Sequence, residues 1–201
     1  MMTDFPSTIR VLVAEDNALE RSTLVDLLSA LGHMVVAEVE SGTEAIEKAQ
    51  QFTPDAVLLD MHMPGASGVQ AAEEIAAALP GTAVVLITGD LSLTLSTADV
   101  LRSTAVALLP KPTPPTTLDA TLRMAVTRAR ELLSARREAA EAKAQLEARK
   151  LIERAKGILM RRTGSSEQEA YRIMQRSSQD RSVRMVDIAR AVIDSEPGMK
   201  A

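Results

Sequence analysis

The sequence predicts a doubly wound α/β domain with a five-stranded parallel sheet, followed by a long helix and a small three-helix bundle. Two observations carry this. Over the first 112 residues, short apolar runs alternate with amphipathic stretches. Runs that are apolar at every position suit strands of a parallel sheet covered on both faces. From Leu118, neither glycine nor proline occurs until Gly157, a span too long for an ordinary globular helix.

Each element follows from local pattern. Residues 9–14 form the first apolar run. Residues 18–31 place Leu19, Leu24, Leu27, Leu28 and Leu31 at helical spacing, with Gly32 as the stop. Residues 34–39 read as a strand, and Ser41-Gly42-Thr43 opens a helix ending near Phe52. A strand over 56–59, a helix over about 67–79, a strand over 82–88, a helix near 93–103 and a strand over 105–109 complete the series.

After Lys111-Pro112-Thr113-Pro114-Pro115 the texture changes. Leu118, Leu122, Ala125, Ala129 and Leu132 fall on the 3–4 spacing of a two-chain coiled-coil seam. Arg136, Ala139 and Lys143 weaken the seam before Leu146 restores it. Beyond it, Leu151, Ile152, Ala155, Ile158 and Leu159 form an apolar face ended by Gly164. Ser166 and Glu169 make a capping box for a second helix running to about Ser177, with Ala170, Ile173 and Met174 inward. Ser182 is placed to cap a third helix carrying Met185, Ile188, Ala189, Val192 and Ile193, ended by Pro197-Gly198. The expected divisions are 8–117 for the α/β domain, 118–146 for the helical linker and 147–195 for the bundle.

Composition narrows the function classes. Of 201 residues, 46% are apolar and 25% charged, as in core-forming proteins. There is no cysteine, so disulfides and zinc–thiolate sites are excluded. No apolar run approaches the ~20 residues that span a bilayer, and MMTDFPSTIR lacks the pattern of a signal peptide, so a cytoplasmic protein is expected. Phe5, Phe52 and Tyr171 are the only aromatics, too few for an extended base-stacking platform. Residues 1–117 hold 5 Lys/Arg against 15 Asp/Glu, whereas residues 118–201 hold 18 against 12. An acidic part and a basic part imply different partners.

Ligands of open parallel sheets bind at the carboxyl ends of the strands. Strand one ends in Glu15-Asp16, strand three in Asp60, strand four in Thr88, and strand five leads to Lys111. Clustered carboxylates repel unless a cation joins them, and hard oxygen donors favour Mg²⁺. A carboxylate beside such an ion is placed to attack phosphorus, with Thr88 and Lys111 available to the phosphoryl oxygens. An aspartyl phosphatase of the haloacid dehalogenase type needs a second Asp two residues after the nucleophile, where this chain has His62.

The motifs Glu15-Asp16, Asp60-Met61-His62-Met63-Pro64 with Gly68, Thr88-Gly89 and Lys111-Pro112 resemble the receiver domain of two-component response regulators, over about residues 8–128. The resemblance implies Asp60 as acceptor of a phosphoryl group from a sensor histidine kinase, and no turnover of an external substrate. It also implies Mg²⁺ bound by Glu15, Asp16, Asp60 and the backbone carbonyl of His62, and a cis Lys111–Pro112 peptide. One position departs: Leu108 stands where many receivers carry a switching Tyr or Phe. The His62 side chain is expected in solvent and His33 in a structural or exposed role.

Residues 149–190 contain 11 Lys/Arg against 5 Asp/Glu. Lys150, Arg154, Gly157 and Arg161 share one helical face, and Arg172 and Arg176 are an i, i+4 pair. Basic faces are often merely solvated, but Gly157 costs a helix about 1 kcal/mol relative to alanine, which suggests close approach by RNA or a neighbouring helix. Residues 155–160 (AKGILM), Ser166–Glu169 with Ala170-Tyr171, and residues 186–189 (VDIA) resemble the ANTAR output domain of AmiR- and NasR-type regulators, over about 146–194. That resemblance implies a dimer that binds paired RNA hairpins in leader transcripts and relieves termination, acting on RNA polymerase indirectly. Lys156, Gly157, Arg172 and Arg176 are then candidate RNA contacts, and Tyr171 either stacks on a base or fills the core of the second helix. A DNA-binding output, with Arg184 and Arg190 on the third helix, and an output acting through protein contacts are the alternatives.

Overall fold

The computed structural model describes residues 8–89 and 107–196. The chain divides into two compact units between Ala135 and Arg136. In the first, β1 (Arg10–Ala14), β2 (Met34–Val39), β3 (Ala56–Asp60), β4 (Ala83–Thr88) and β5 (Ala107–Pro110) form one parallel sheet in the order β2-β1-β3-β4-β5. Between them lie α1 (Ala18–Ala30), α2 (Gly42–Phe52) and α3 (Gly68–Ala78). Their starts are chemically specified. The Asn17 side chain accepts from Leu19 and Glu20 N–H, Ser41 from Glu44 N–H, and Ser67 forms a capping box with Gln70. The helix expected near 93–103 lies outside the described residues.

Alternation along the strands sends side chains to two cores. Val11, Val13, Leu58, Val85 and Ile87 meet Leu28 of α1 on one face. Leu12, Ala14, Val57, Leu59 and Leu86 meet Ala45 and Ala49 of α2 and Ala71, Ala72 and Ile75 of α3 on the other.

The last long helix, α4 (Pro115–Thr163), corrects the expected coiled-coil seam. Leu118, Leu122, Ala125 and Ala129 are buried in the first of these cores, together with Val126. They belong to the α/β unit and are closed to a second chain. The 3–4 spacing is shared by a coil seam and by a helix laid on a sheet, and here the stripe packs into the cluster of Val11, Val13, Val85 and Ile87. Polar links hold the same stretch: His33 Nε2 lies 3.0 Å from Asp119, which Arg123 also grips at 2.9 Å, and Arg130 pairs with Asp55 at 2.8 Å. His33 is thus buried and structural. The α/β unit extends past residue 117, while Leu132 and Leu146 stay exposed.

In the second unit, α4 from Arg136 onward is joined by α5 (Glu167–Arg181) and α6 (Met185–Asp194). Ala155, Met174, Ile188 and Ala189 form its centre, flanked by Leu151, Ile152, Leu159, Met185, Val192 and Ile193. Three expectations are corrected. α5 runs to Arg181 rather than Ser177. Ser182 is its left-handed C-cap (φ 53°) rather than the start of α6, whose N-cap, Arg184, makes no side-chain capping bond. Ile173 is 43% exposed, because the inward stripe of α5 follows the i, i+4 pair Ala170 and Met174. The expected Pro197-Gly198 stop lies outside the described residues. Among the described residues no helix is long and apolar enough to cross a membrane.

Candidate phosphoacceptor site and basic surface

The parallel sheet delivers the ends of β1, β3, β4 and β5 to one edge, and the residues singled out there converge. Carboxylate oxygens of Glu15, Asp16 and Asp60 lie within 4.8 Å of one another. Lys111 Nζ stands 2.5 Å from Glu15 and 3.3 Å from Asp60. Glu15, Asp60 and Thr88 are buried, and Asp16 is exposed. The Lys111 N–H donates to the Thr88 carbonyl at 2.7 Å, and the Lys111–Pro112 peptide is cis, as expected.

Electrostatics of the cluster are set by burial and one ammonium. Burial, aided by the Asp60 charge, pushes the Glu15 carboxyl above its ordinary range against the hydrogen bond from Lys111. For Lys111, burial acts to lower the pKa, but hydrogen bonds to Glu15 and then Glu20 outweigh it and hold the ammonium above its usual value. Three converging carboxylates with one lysine leave an excess of negative charge on hard oxygen donors. That donor set fits a divalent cation such as Mg²⁺.

Three supports of this site stand outside the motifs legible in the sequence. Glu20 places a fourth carboxylate 2.8 Å from Lys111. It lies in the first turn of α1, just after the acidic pair, a signal that strand ends alone do not carry. Arg21 donates to the Glu15 carbonyl at 2.6 Å and pairs with Glu40 at 2.7 Å, fixing the turn after β1. Gly42 runs so close to the Ala66 carbonyl that any side chain would collide with it. Gly68, already in the motif, is equally constrained: a Cβ there would overlap the Asp60 carbonyl oxygen and press on Met61. The glycine lets α3 start against the backbone that carries Asp60. The His62 side chain is exposed, as expected.

On the second unit the four candidates separate. Arg172 and Arg176 are exposed and line a shallow groove of about 650 Å³ with Glu169, Ile173, Asp180 and the 163–165 turn. Lys156 is only 8% exposed and bridges Glu153 at 2.8 Å and Glu167 at 2.7 Å, tying α4 to α5. Those two hydrogen bonds hold its ammonium above the ordinary range. It is therefore not the open lysine a helical wheel suggests. Tyr171 is 44% exposed, which removes the core alternative, and it shares a second shallow recess with Lys156, Glu167, Arg172 and Gln175. A Cβ at Gly157 would meet only the Arg161 guanidinium, at an ordinary 3.7 Å. Among the described residues no neighbouring helix accounts for this glycine.

Comparison with known proteins agrees with both halves. The family model for the response regulator receiver domain matches residues 11–123, and that for the ANTAR domain matches residues 140–193. Over 190 residues the chain is 37% identical to the transcriptional regulatory protein PdtaR of Mycobacterium tuberculosis, covering 92% of this chain and 90% of the relative. The chain belongs to the response regulators that join a receiver to an ANTAR domain.

Solved receivers agree in fold. The signal receiver domain of the putative response regulator NarL from Mycobacterium tuberculosis is 31% identical with a TM-score of 0.51, covering 62% of this chain and 98% of that one. A receiver domain protein from Clostridium thermocellum is 27% identical with a TM-score of 0.56, covering 62% and 98%. In the present receiver Leu108 pairs with Leu86 across β5 and β4 and is 40% exposed. No aromatic ring stands there to turn inward.

Proposed function

We propose that this response regulator is a phosphorylation-controlled, RNA-binding transcription antiterminator acting in the cytoplasm. The observation that carries the reading is the convergence of Glu15, Asp16, Asp60 and Lys111 on one sheet edge, in a chain whose second unit is an ANTAR domain. A carboxylate oxygen of Asp60 attacks the phosphorus of a phosphohistidine on a sensor kinase. The new O–P bond forms as the P–N bond breaks, and the imidazole departs. Lys111 and Thr88 bind the phosphoryl oxygens, where transition-state charge accumulates. Glu15, Asp16 and Asp60, with the main-chain carbonyl of His62, would hold Mg²⁺, which when bound offsets charge on those oxygens. No external substrate is turned over.

In the output unit, Arg172 and Arg176 approach the phosphates of RNA hairpins in leader transcripts, and exposed Tyr171 is placed to stack on an unpaired base. Gly157 is proposed to admit RNA close to the α4 backbone. Lys156 shapes the surface from inside its double ion pair rather than meeting RNA first. RNA polymerase is affected only through the transcript. Self-association uses residues beyond Ala129, where Leu132 and Leu146 are exposed. A DNA-reading α6 is disfavoured, because Asp187 engages both Arg184 at 3.0 Å and Arg190 at 3.6 Å.

The test combines labelling by acetyl phosphate with filter binding of hairpin RNA and duplex DNA. The expected result is labelling that requires Asp60, together with binding of hairpin RNA over DNA. Duplex preference would move the output to DNA. Binding of neither nucleic acid, at any phosphorylation state, would make it a protein-interaction output.

A further inference from the structure

Lys111 has more partners than its chemistry requires. Two of its three N–H bonds are taken by Glu15 at 2.5 Å and Glu20 at 2.8 Å, and Asp60 lies 3.3 Å away. Only the third N–H, on the Asp60 side, is open to an incoming phosphoryl oxygen, so Glu15 and Glu20 compete with the phosphoryl group for the ammonium. Asp60 is the reacting group and carries the phosphoryl itself. Glu15 is 1% exposed and has no route into water, so it stays at the site beside Lys111 or the Mg²⁺ it would help to hold. The Glu20 side chain is 48% exposed on the first turn of α1 and passes into water at little cost.

We infer that Glu20 is a positioning residue that holds Lys111 in the unphosphorylated receiver and yields it to the phosphoryl group, thereby setting how fast Asp60 is phosphorylated. This rests on the phosphoacceptor reading above. Because the Lys111–Glu20 contact exists in the resting state and is lost in the transition state, it stabilises the wrong side of the barrier. Removing it speeds the reaction. Glu20 thus acts as a latch whose strength is that of a half-exposed ion pair, which makes the effect a moderate one.

The experiment measures initial labelling by acetyl phosphate in wild type, Glu20→Gln, Glu20→Asp and Glu47→Gln. The last removes an equal charge at an exposed position of α2, away from Lys111. Glu20→Gln is expected to label roughly two- to fivefold faster, the scale of an exposed ion pair. Glu20→Asp, which keeps the charge but shortens the reach, is expected to follow it, and Glu47→Gln to match wild type. A second readout needs no phosphodonor: in metal-free protein the Lys111 ammonium NMR resonance shifts in both Glu20 variants. Wild-type rates in both Glu20 variants would overturn the inference. Acceleration in Glu20→Gln but not Glu20→Asp would also overturn it, because charge repulsion alone would then be at work. An unmoved ammonium resonance has the same force. If the wild-type protein is not labelled at all, the phosphoacceptor reading fails, and the NMR readout still decides whether Glu20 holds Lys111.

Discussion

Lys111 and Lys156 are each surrounded by carboxylates, three about the first and two about the second, yet they stand in chain segments of opposite charge. At Lys111 the carboxylates outnumber the cation and lie at the open edge of a sheet, so the lysine stays charged and the site retains negative charge for a divalent ion. At Lys156 the lysine is covered while both carboxylates face solvent: the bridge ties α4 to α5, and the ammonium is paired before any partner arrives. The basic character of the second unit is therefore presented by exposed guanidiniums such as Arg172 and Arg176. The difference teaches that a charged residue's partner is decided by its burial and neighbours, not by the charge of its segment.

The sharpest way to break this comparison is at its acidic end. Asp60→Asn is nearly isosteric but a poor nucleophile, so labelling by acetyl phosphate should fall to background while the protein melts as before. Undiminished labelling would remove Asp60 as the acceptor. Next in size, Gly68→Val should cost about 1–3 kcal/mol of receiver stability and slow labelling, because the new Cβ meets the Asp60 carbonyl. Thermal melting with a parallel labelling assay checks both, and an unchanged melt would show that α3 can shift away.

At the basic end the two charge types should separate. Arg172→Ala and Arg176→Ala should each flatten the log–log salt dependence of hairpin binding by about 0.7 per lost contact to single-stranded RNA, with stability changed by about 0.5 kcal/mol or less. Lys156→Ala should do the reverse. It removes the covered side chain that joins Glu153 and Glu167, themselves more than half exposed, so the melting temperature should fall modestly while the salt slope changes less than for either arginine. If Lys156→Ala flattens the slope as the arginines do and leaves melting untouched, the contrast between buried and exposed cations collapses. The smallest effect concerns self-association: sedimentation should detect a weak dimer, strengthened by phosphodonor or RNA and weakened by Leu146→Ala, which is exposed in the single chain. A monomer under all conditions would exclude a seam beyond Ala129.

Much of the receiver was legible because its signals are local. Asn17, Ser41 and Ser67 cap their helices through their own next turn, and continuous apolar runs such as Ala83–Thr88 admit few other readings. The convergence of Asp60, the acidic pair and Lys111 was legible for the same reason: each ends a strand or follows one, and a parallel sheet brings strand ends together. Glu20 and Gly42 were not, since their roles depend on Lys111 and on Ala66, far away in sequence. The Ser182 expectation failed because a serine before a helix reads equally as an N-cap or as the left-handed end of the helix before it.

By itself, then, the sequence determined the order of elements, the acidic edge and the two-part character of the chain, all of which follow from short-range pattern and strand alternation. Only the tertiary structure decided which surface the 118–129 stripe covers, because a 3–4 spacing specifies an apolar face but not its partner. Only the tertiary structure, likewise, decided that Lys156 is enclosed while Arg172 and Arg176 stay open. Helical spacing places a lysine on a face, and the carboxylate arriving from the next helix settles whether that face reaches water.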